Sequence, residues 1–107
     1  MISKTPRPPY YAVIFTSVRT PEDKGYLKMA KEMEMLVEKQ PGFLGYESAR
    51  EEIGITVSYW KDLDSIKMWK ENPAHTIART NGRKTWYQNF KVRITKVERD
   101  YGFENEI

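Results

Sequence analysis

The order of apolar and polar residues along the chain predicts four strands and two helices. The first strand, Tyr10 to Val18, is apolar on both faces, which is typical of a strand covered on both sides, so we place it centrally in its sheet. The segment Thr20-Pro21-Glu22-Asp23 predicts a helix start, with a hydroxyl cap, a proline in the first turn and acids near the positive end of the helix dipole. This helix is expected to end near Gln40. Its apolar positions recur at helical spacing, at Tyr26, Met29, Ala30, Met33, Leu36 and Val37.

Two further strands and a second helix are predicted in the middle of the chain. The strands are Phe43 to Glu51 and Ile55 to Lys61, joined by a tight turn. Asp62 is expected to cap the second helix. Asn72 and Pro73 interrupt that helix, because proline lacks the amide hydrogen that a helix interior needs, so we expect a kinked element that ends near Gly82.

The last strand is predicted from Trp86 to Tyr101. Its apolar residues change parity along the strand: Phe90, Val92 and Ile94 take one parity, whereas Val97 and Tyr101 take the other. A shift of one residue turns every side chain to the other face, so we expect a bulge near Thr95-Lys96.

The resulting order, β-α-β-β-α-β, predicts an α+β fold of the ferredoxin-like type with an antiparallel four-stranded sheet. We divide the chain into an extended N-terminal arm (residues 1–9), a single domain (10–101) and a C-terminal tail (102–107). Two helices cover only one face of such a sheet. We therefore expect a homodimer, in which the open face packs on a second copy and the last strand reaches across to it, as in a dimeric α/β-barrel.

Composition narrows the class of protein further. The 107 residues suffice for one domain, and the absence of cysteine excludes disulfides, thiolate metal sites and thiol nucleophiles. The longest apolar run, Tyr10 to Phe15, is too short to span a bilayer, so we expect a cytoplasmic protein that does not use a membrane. The net charge of +3 comes from interleaved basic and acidic residues, which argues against nucleic-acid binding.

His75 is the only histidine, and it follows the break in the second helix. One interpretation is a proton-transfer group or an axial haem ligand that faces a cleft. The alternative is a histidine on the helix surface, or one in the core with a satisfied hydrogen bond.

Three tryptophans are many for a chain of this length. Trp60, Trp69 and Trp86 are candidates to line a site for a flat apolar ligand, although filling the space between helix and sheet is an equally good interpretation for Trp69. Trp60 leaves its strand on the parity opposite to Tyr59.

Two arginines and two hydroxyl residues complete the candidate site. Arg79 and Arg83 are four residues apart on one helix face, where they would hold a carboxylate by paired hydrogen bonds or would simply be solvated. Ser17 and Thr16, at the end of the first strand, would donate hydrogen bonds to a ligand or merely end the strand.

Several of these segments together resemble the antibiotic biosynthesis monooxygenase family of dimeric α/β-barrels. They are QPGFLGYES (40–48), SYWKDLDSIKMWKENPAHTIA (58–78), within which His75 and Ala78 are distinctive, and the run from Gly82-Arg83 to Trp86-Tyr87. The resemblance covers nearly the whole chain from Tyr10 to Tyr101. It implies a homodimer with a pocket between each sheet and its helices.

The family's chemistry differs between members. Some oxygenate polyketide-like aromatics without metal or flavin, using the substrate's carbanion to reduce oxygen. Others bind and degrade haem, using an asparagine on the first strand, a tryptophan at the start of the kinked helix and an axial histidine ten residues later. Trp69 matches that tryptophan, but Arg79 stands ten residues later, His75 lies six residues later, and the first strand carries Thr16 or Ser17 instead of asparagine.

We therefore hold three hypotheses of function. The first is a monooxygenase that acts on a small aromatic or polyphenolic compound without a cofactor, with His75 as the base and Ser17 or Tyr59 orienting the substrate. The aromatic ring of the substrate would lie against Trp60 or Trp69. The second is haem binding or degradation. The third is a non-catalytic, small-ligand-binding or stress-response module on the same fold.

Overall fold

The computed structural model describes residues 1–105 and contains one four-stranded antiparallel sheet. Its strands, in the spatial order β2-β3-β1-β4, are β1 (Tyr10–Arg19), β2 (Phe43–Arg50), β3 (Gly54–Trp60) and β4 (Tyr87–Val97). β1 lies between β3 and β4, as its two apolar faces predict. The α+β, ferredoxin-like arrangement is therefore confirmed.

Three helices connect the strands. They are α1 (Tyr26–Val37), α2 (Leu63–Glu71) and α3 (Pro73–Asn81), and α3 continues into a single π-helical turn, Gly82–Trp86. No helix within residues 1–105 is long and apolar enough to cross a membrane. The tail predicted at 102–107 is described as far as residue 105, and its last two residues lie outside the described part of the chain.

The pairing of the strands decides which side chains lie on the helix side of the sheet. β1 pairs with β3 so that Tyr11 lies opposite Trp60 and Ser17 lies opposite Gly54. Because successive side chains of a strand alternate between faces, every second residue of β1 from Tyr11 to Ser17 shares the helix side with Trp60. Ala12, Ile14, Val57 and Tyr59 lie on the opposite side.

Gly42 sets the position of α2 against the sheet. It has a φ of +78°, which favours glycine, and a Cβ at this position would collide with the side chain of the buried Ser65. The carbonyl of Gly42 accepts a hydrogen bond from the Lys61 amide at 2.7 Å. The loop before β2 therefore lies directly against the first turn of α2.

The prediction that Thr20 and Pro21 begin the first helix is wrong. The Thr20 hydroxyl donates to the Thr85 carbonyl at 2.6 Å, and the Thr20 amide donates to the Trp86 carbonyl at 3.0 Å. Thr20 is thus still held beside the start of β4, and the chain turns later, at Gly25, whose φ is +86°. The helix begins only at Tyr26, with no acid in its first turn, and ends at Val37.

The bulge predicted near Thr95-Lys96 is also misplaced. The register between β1 and β4 is continuous from Tyr10 to Val18 and shifts between Val18 and Arg19, at the other end of β4. Val97 pairs with Tyr10 and lies on the open face of the sheet, so its change of parity marks a strand with two apolar faces. β4 also ends at Val97, before the predicted end at Tyr101, and Trp86 belongs to the π-helical turn.

Candidate active site on the helix side of the sheet

The helices cover their side of the sheet incompletely. No residue of α1 is buried: the apolar residues at the predicted helical spacing are partly covered, whereas Leu27 and Met35 are 70% and 57% exposed. On β4, Val92 and Ile94 share the helix side with Phe15 and are 46% and 54% exposed. We call this partly covered side of the sheet, bounded by α1, α2 and α3, the helix-side cleft.

Three flat side chains stack along one wall of the cleft, and we call them the aromatic row. Trp60 is fully buried, and its ring lies 6.5 Å from that of Trp69 with an angle of 27° between the planes. The His75 ring lies 4.2 Å from the Trp69 ring at an angle of only 11°. Trp60 is itself fixed by a hydrogen bond of 2.9 Å from its Nε1 to the Ser58 hydroxyl. Trp60 is therefore a buried support, and the surface of the row consists of the partly exposed Trp69 and His75.

The break between α2 and α3 places His75 at the end of this row. Both sequence-predicted caps are confirmed: Asp62 accepts from the Ser65 amide, and Asn72 accepts from the amides of Ala74 and His75. Pro73 occupies the first position of α3, as expected for a residue without an amide hydrogen. The single kinked helix of the sequence prediction is thus two helices joined at Asn72.

The same break leaves backbone carbonyls that side chains must satisfy. In a continuous helix the Trp69 carbonyl would accept from the amide of residue 73, which is proline. It accepts instead from the Asn72 amide at 3.1 Å and forms a hydrogen bond of 2.9 Å with His75 Nδ1. Since a carbonyl oxygen only accepts, Nδ1 carries the hydrogen, and the neutral ring has its lone pair on Nε2.

Burial keeps this imidazole neutral. Desolvation lowers the pKa of His75 below its ordinary value of 6.5, and the nearby positive charge of Arg79 acts in the same direction. The hydrogen bond to the Trp69 carbonyl opposes the shift but does not reverse it. At neutral pH, His75 can therefore accept a proton or donate a lone pair through Nε2.

The two candidate helix arginines are not brought together as a pair. Arg79 donates from Nη1 to the Lys70 carbonyl at 2.8 Å, which is the second carbonyl freed by the helix break. Arg83 lies in the π-helical turn, with its guanidinium carbon 5.8 Å from the centre of the Phe90 ring. Each arginine thus has its own separate contact.

Tyr59 and Trp86 lie apart from the aromatic row. Tyr59 faces the open side of the sheet, where its hydroxyl donates to Glu47 at 2.6 Å, and burial followed by this carboxylate raises its pKa to about 12. Trp86 is 6% exposed, packs on Tyr26 and donates from Nε1 to the Lys24 carbonyl at 3.2 Å. Trp86 therefore joins the start of α1 to the end of α3.

Ser17 lies on the helix side but at the far end of the cleft. It is 1% exposed, and its hydroxyl is hydrogen-bonded by the guanidinium of Arg50. Six positions of β1 separate Ser17 from Tyr11, the partner of Trp60, which corresponds to about 20 Å along a strand. The sequence analysis did not include Arg50 among the candidate site residues. The one indication was Gly54, whose missing side chain leaves the space that the Arg50 guanidinium occupies beside Ser17.

We expect the stability of the protein to depend on pH through His75. Its pKa is lower in the folded chain than in the unfolded one, so between those two values the unfolded chain binds more protons. The free energy of unfolding should therefore fall as the pH is lowered through 6.5 towards the folded pKa. Urea denaturation of the wild type and of His75→Gln, between about pH 8 and pH 5, measures this difference.

His75→Gln removes the one histidine and leaves every other titrating group in place, so the difference between the two proteins isolates it. The variant should show a flatter dependence on pH. Equal slopes for the two proteins would contradict a buried, neutral His75.

Comparison with known proteins agrees with this fold. The antibiotic biosynthesis monooxygenase family model matches residues 9–81. Uncharacterized protein YqjZ of Bacillus subtilis is 50% identical over 105 residues, covering 96% of this chain and 92% of its own.

Two crystal structures show the same fold at low identity. SnoaB, a cofactor-independent oxygenase from Streptomyces nogalater, superposes with a TM-score of 0.72 at 13% identity, covering 85% of this chain and 95% of its own. A conserved protein from Methanosarcina mazei Go1 gives a TM-score of 0.72 at 16% identity, covering 81% and 91%. These two likenesses show the fold, and the family match over residues 9–81 shows that the chain belongs to the antibiotic biosynthesis monooxygenase family.

Proposed function

We propose that the chain is a monooxygenase that acts on a small aromatic or polyphenolic compound without metal or flavin. The observation that carries this proposal is a neutral imidazole, with Nε2 as its acceptor, at the end of a stack of two indoles. A flat substrate gains apolar contact on such a wall, and an adjacent base acts on its acidic hydrogen. The cofactor-independent oxygenase SnoaB, which has the same fold, supports the cofactor part of the proposal.

The chemistry assigned to His75 is proton transfer. Nε2 takes a proton from an activated CH₂ group beside the phenolic rings, and the resulting carbanion transfers an electron to O₂. Recombination forms a carbon–oxygen bond, and the imidazolium returns its proton to give a hydroperoxide. Loss of water, with the second hydrogen of the same carbon, leaves a ketone, so that CH₂ and O₂ become C=O and H₂O.

The Trp69 carbonyl orients His75 for these proton transfers. It holds Nδ1–H and so keeps the ring from turning as the proton enters and leaves Nε2. Within this proposal, Trp69 contacts the substrate ring, and the fully buried Trp60 supports Trp69 from behind. Ser17 has no direct contact with the substrate, because it is 1% exposed and its hydroxyl is bound by Arg50. Tyr59 has no part in it, because it lies on the opposite face of the sheet.

We expect His75→Gln to lower kcat by about 10²- to 10⁴-fold on a substrate that the wild type oxidises, since that is the usual contribution of a general base. Oxygen consumption with a panel of tricyclic phenolic ketones measures the rate. For the wild type, kcat/KM should fall on the acid side with an apparent pKa below 6.5, as His75 becomes protonated.

Ile77→Gln is the matched control, because Ile77 is 64% exposed on the same helix. It should retain the wild-type rate. Full turnover by His75→Gln would overturn the assignment of the base.

Haem is the second candidate ligand. Histidines that ligate metals commonly hold their other ring nitrogen on a carbonyl, and His75 does so through Nδ1. Nε2 of His75 would then be the atom that holds the haem iron, at a position four residues before Arg79. In this case the chain would bind haem in the cleft, and Trp69, which stacks on His75, would offer it an apolar contact.

Titration of the purified protein with hemin tests this candidate. A shifted Soret band that is lost in His75→Ala, but kept in Ile77→Gln, is the expected result for axial ligation. An unshifted band at micromolar protein would remove haem from consideration.

We further propose that the chain acts as a cytoplasmic homodimer. The sheet face opposite the helices carries Ala12, Ile14, Val57 and Ile55, and Ile55 is 45% exposed there. An apolar sheet face needs a covering layer, and a second copy supplies one by the commonest symmetry of soluble oligomers.

A further inference from the structure

The first helix lies on the sheet without burying any of its residues. Its apolar residues at helical spacing are only partly covered. The other two helices are packed more firmly, since α2 buries Ser65 and Ile66 and α3 buries Ala78. An element with few buried apolar contacts opens at a lower free energy than the rest of the protein. We therefore expect α1 to be the helix that opens most easily.

The start of α1 is the part of the helix that is held tightly. The Tyr26 ring packs edge-on against Trp86 and Tyr87, with ring centres 6.1 Å and 5.9 Å away. The Arg19 guanidinium carbon lies 3.4 Å from the centre of the Tyr26 ring. Directly before this residue, the chain turns at Gly25, whose φ of +86° favours glycine. The first turn of α1 is thus a fixed point, and the following turns depend on weaker contacts with the sheet.

The second half of α1 lies beside the aromatic row. The Tyr46 hydroxyl of β2 forms a hydrogen bond with Glu34 of α1. The Tyr46 ring centre lies 6.3 Å from that of Phe43, which in turn lies 5.3 Å from that of Trp60. The helix that opens most easily is therefore also the wall of the helix-side cleft that stands next to the aromatic row.

Two methionines lie on the partly covered side of α1. Met29 and Met33 are four residues apart, so they share one face of the helix, whereas Met35 is 57% exposed on another. The methionine side chain is unbranched, adapts to partners of different shape, and makes favourable contacts with aromatic rings through its sulfur. This face of α1 is therefore suited to pack either on the sheet or on a flat ligand.

From these observations we infer that α1 is a lid, held at its first turn, that closes Met29 and Met33 over a flat ligand bound at the aromatic row. In the free protein the sheet and the helix both keep incompletely covered apolar residues in the cleft, such as Val92 and Met33. A flat apolar ligand between them removes more of this surface from water, which favours the closed form. The inference rests on the proposed function, because it concerns access to the same site.

Amide hydrogen exchange of the wild-type protein tests the lid. The probe is alizarin, a flat tricyclic phenolic ketone that offers no CH₂ group to the proposed reaction. In the free protein, we expect the amides of α1 to exchange faster than those of the central strands β1 and β3. With alizarin at about ten times its Kd, exchange in α1 should slow about tenfold, because opening of the lid must release the ligand.

A matched pair of variants tests the role of the methionines. Met33→Ser removes an apolar side chain from the face that closes on the ligand, and Met35→Ser removes one from the exposed face. Quenching of tryptophan fluorescence by alizarin, followed in stopped flow, gives the dissociation rate. Met33→Ser should raise this rate about tenfold, since the contact that it removes forms only after closure, and Met35→Ser should leave it unchanged.

The outcomes separate this inference from the proposed function. The lid is wrong if α1 exchanges as slowly as β1 and β3, or if bound alizarin leaves exchange in α1 unchanged. The role of the methionines is wrong if both serine variants release alizarin at the same rate. The exchange experiment uses the wild type, so it decides the question even if Met33→Ser does not fold.

If alizarin does not bind, the proposed aromatic ligand fails, and the lid that closes over it fails as well. If α1 closes on alizarin while His75→Gln keeps full turnover, the base is wrong and the lid stands.

Discussion

The missing amide hydrogen of Pro73 is the constraint on which the candidate site depends. It ends α2 and leaves the Trp69 carbonyl without its helical donor. The Ala74 amide, which a continuous helix would direct to the Lys70 carbonyl, binds the Asn72 side chain instead. Side chains beyond the break bind both carbonyls: His75 joins the Asn72 amide on the first, and Arg79 joins the Thr76 hydroxyl on the second. The break at Asn72 and Pro73 thus sets both the orientation of the imidazole and the position of the charge that helps to keep it neutral.

The alternation of side chains along the sheet separates two groups of polar residues. Trp60 and Tyr59 are neighbours in β3, yet one belongs to the aromatic row and the other binds Glu47 on the opposite face. That second group also holds the N-terminal arm, since the Ser3 amide donates to Glu47 at 2.8 Å. The contacts that bind the arm therefore lie on the face of the sheet opposite the aromatic row.

The parts of the structure that sequence predicts well are those controlled by local chemistry. Asp62 and Asn72 cap helices because their short side chains carry an oxygen that accepts from the free amides of the first helical turn. The predicted start of α1 is wrong because the Thr20 hydroxyl binds the carbonyl of Thr85, which lies 65 residues away. Rules based on neighbouring residues do not include such a contact. The predicted bulge in β4 is misplaced because the sequence pattern has two explanations. A change in the parity of the apolar residues occurs both in a strand with a bulge and in a strand with two apolar faces.

The candidate site was predictable to the extent that it follows from one helix. Trp69 and His75 are six residues apart, and the break between them makes their contact foreseeable. Arg50 and Ser17 are 33 residues apart, and only the register of β1 on β3, with a glycine at the crossing point, brings them together.

The central claim is that the Trp69 carbonyl selects the form of His75 in which Nδ1 bears the hydrogen and Nε2 is bare. Long-range ¹H–¹⁵N correlation spectra of the ¹⁵N-labelled protein at neutral pH measure this directly, because the single histidine gives one pair of ring nitrogens. We expect a protonated, pyrrole-type shift for Nδ1 and an unprotonated, pyridine-type shift for Nε2. The reverse assignment, or averaged shifts of an exchanging ring, would contradict the account.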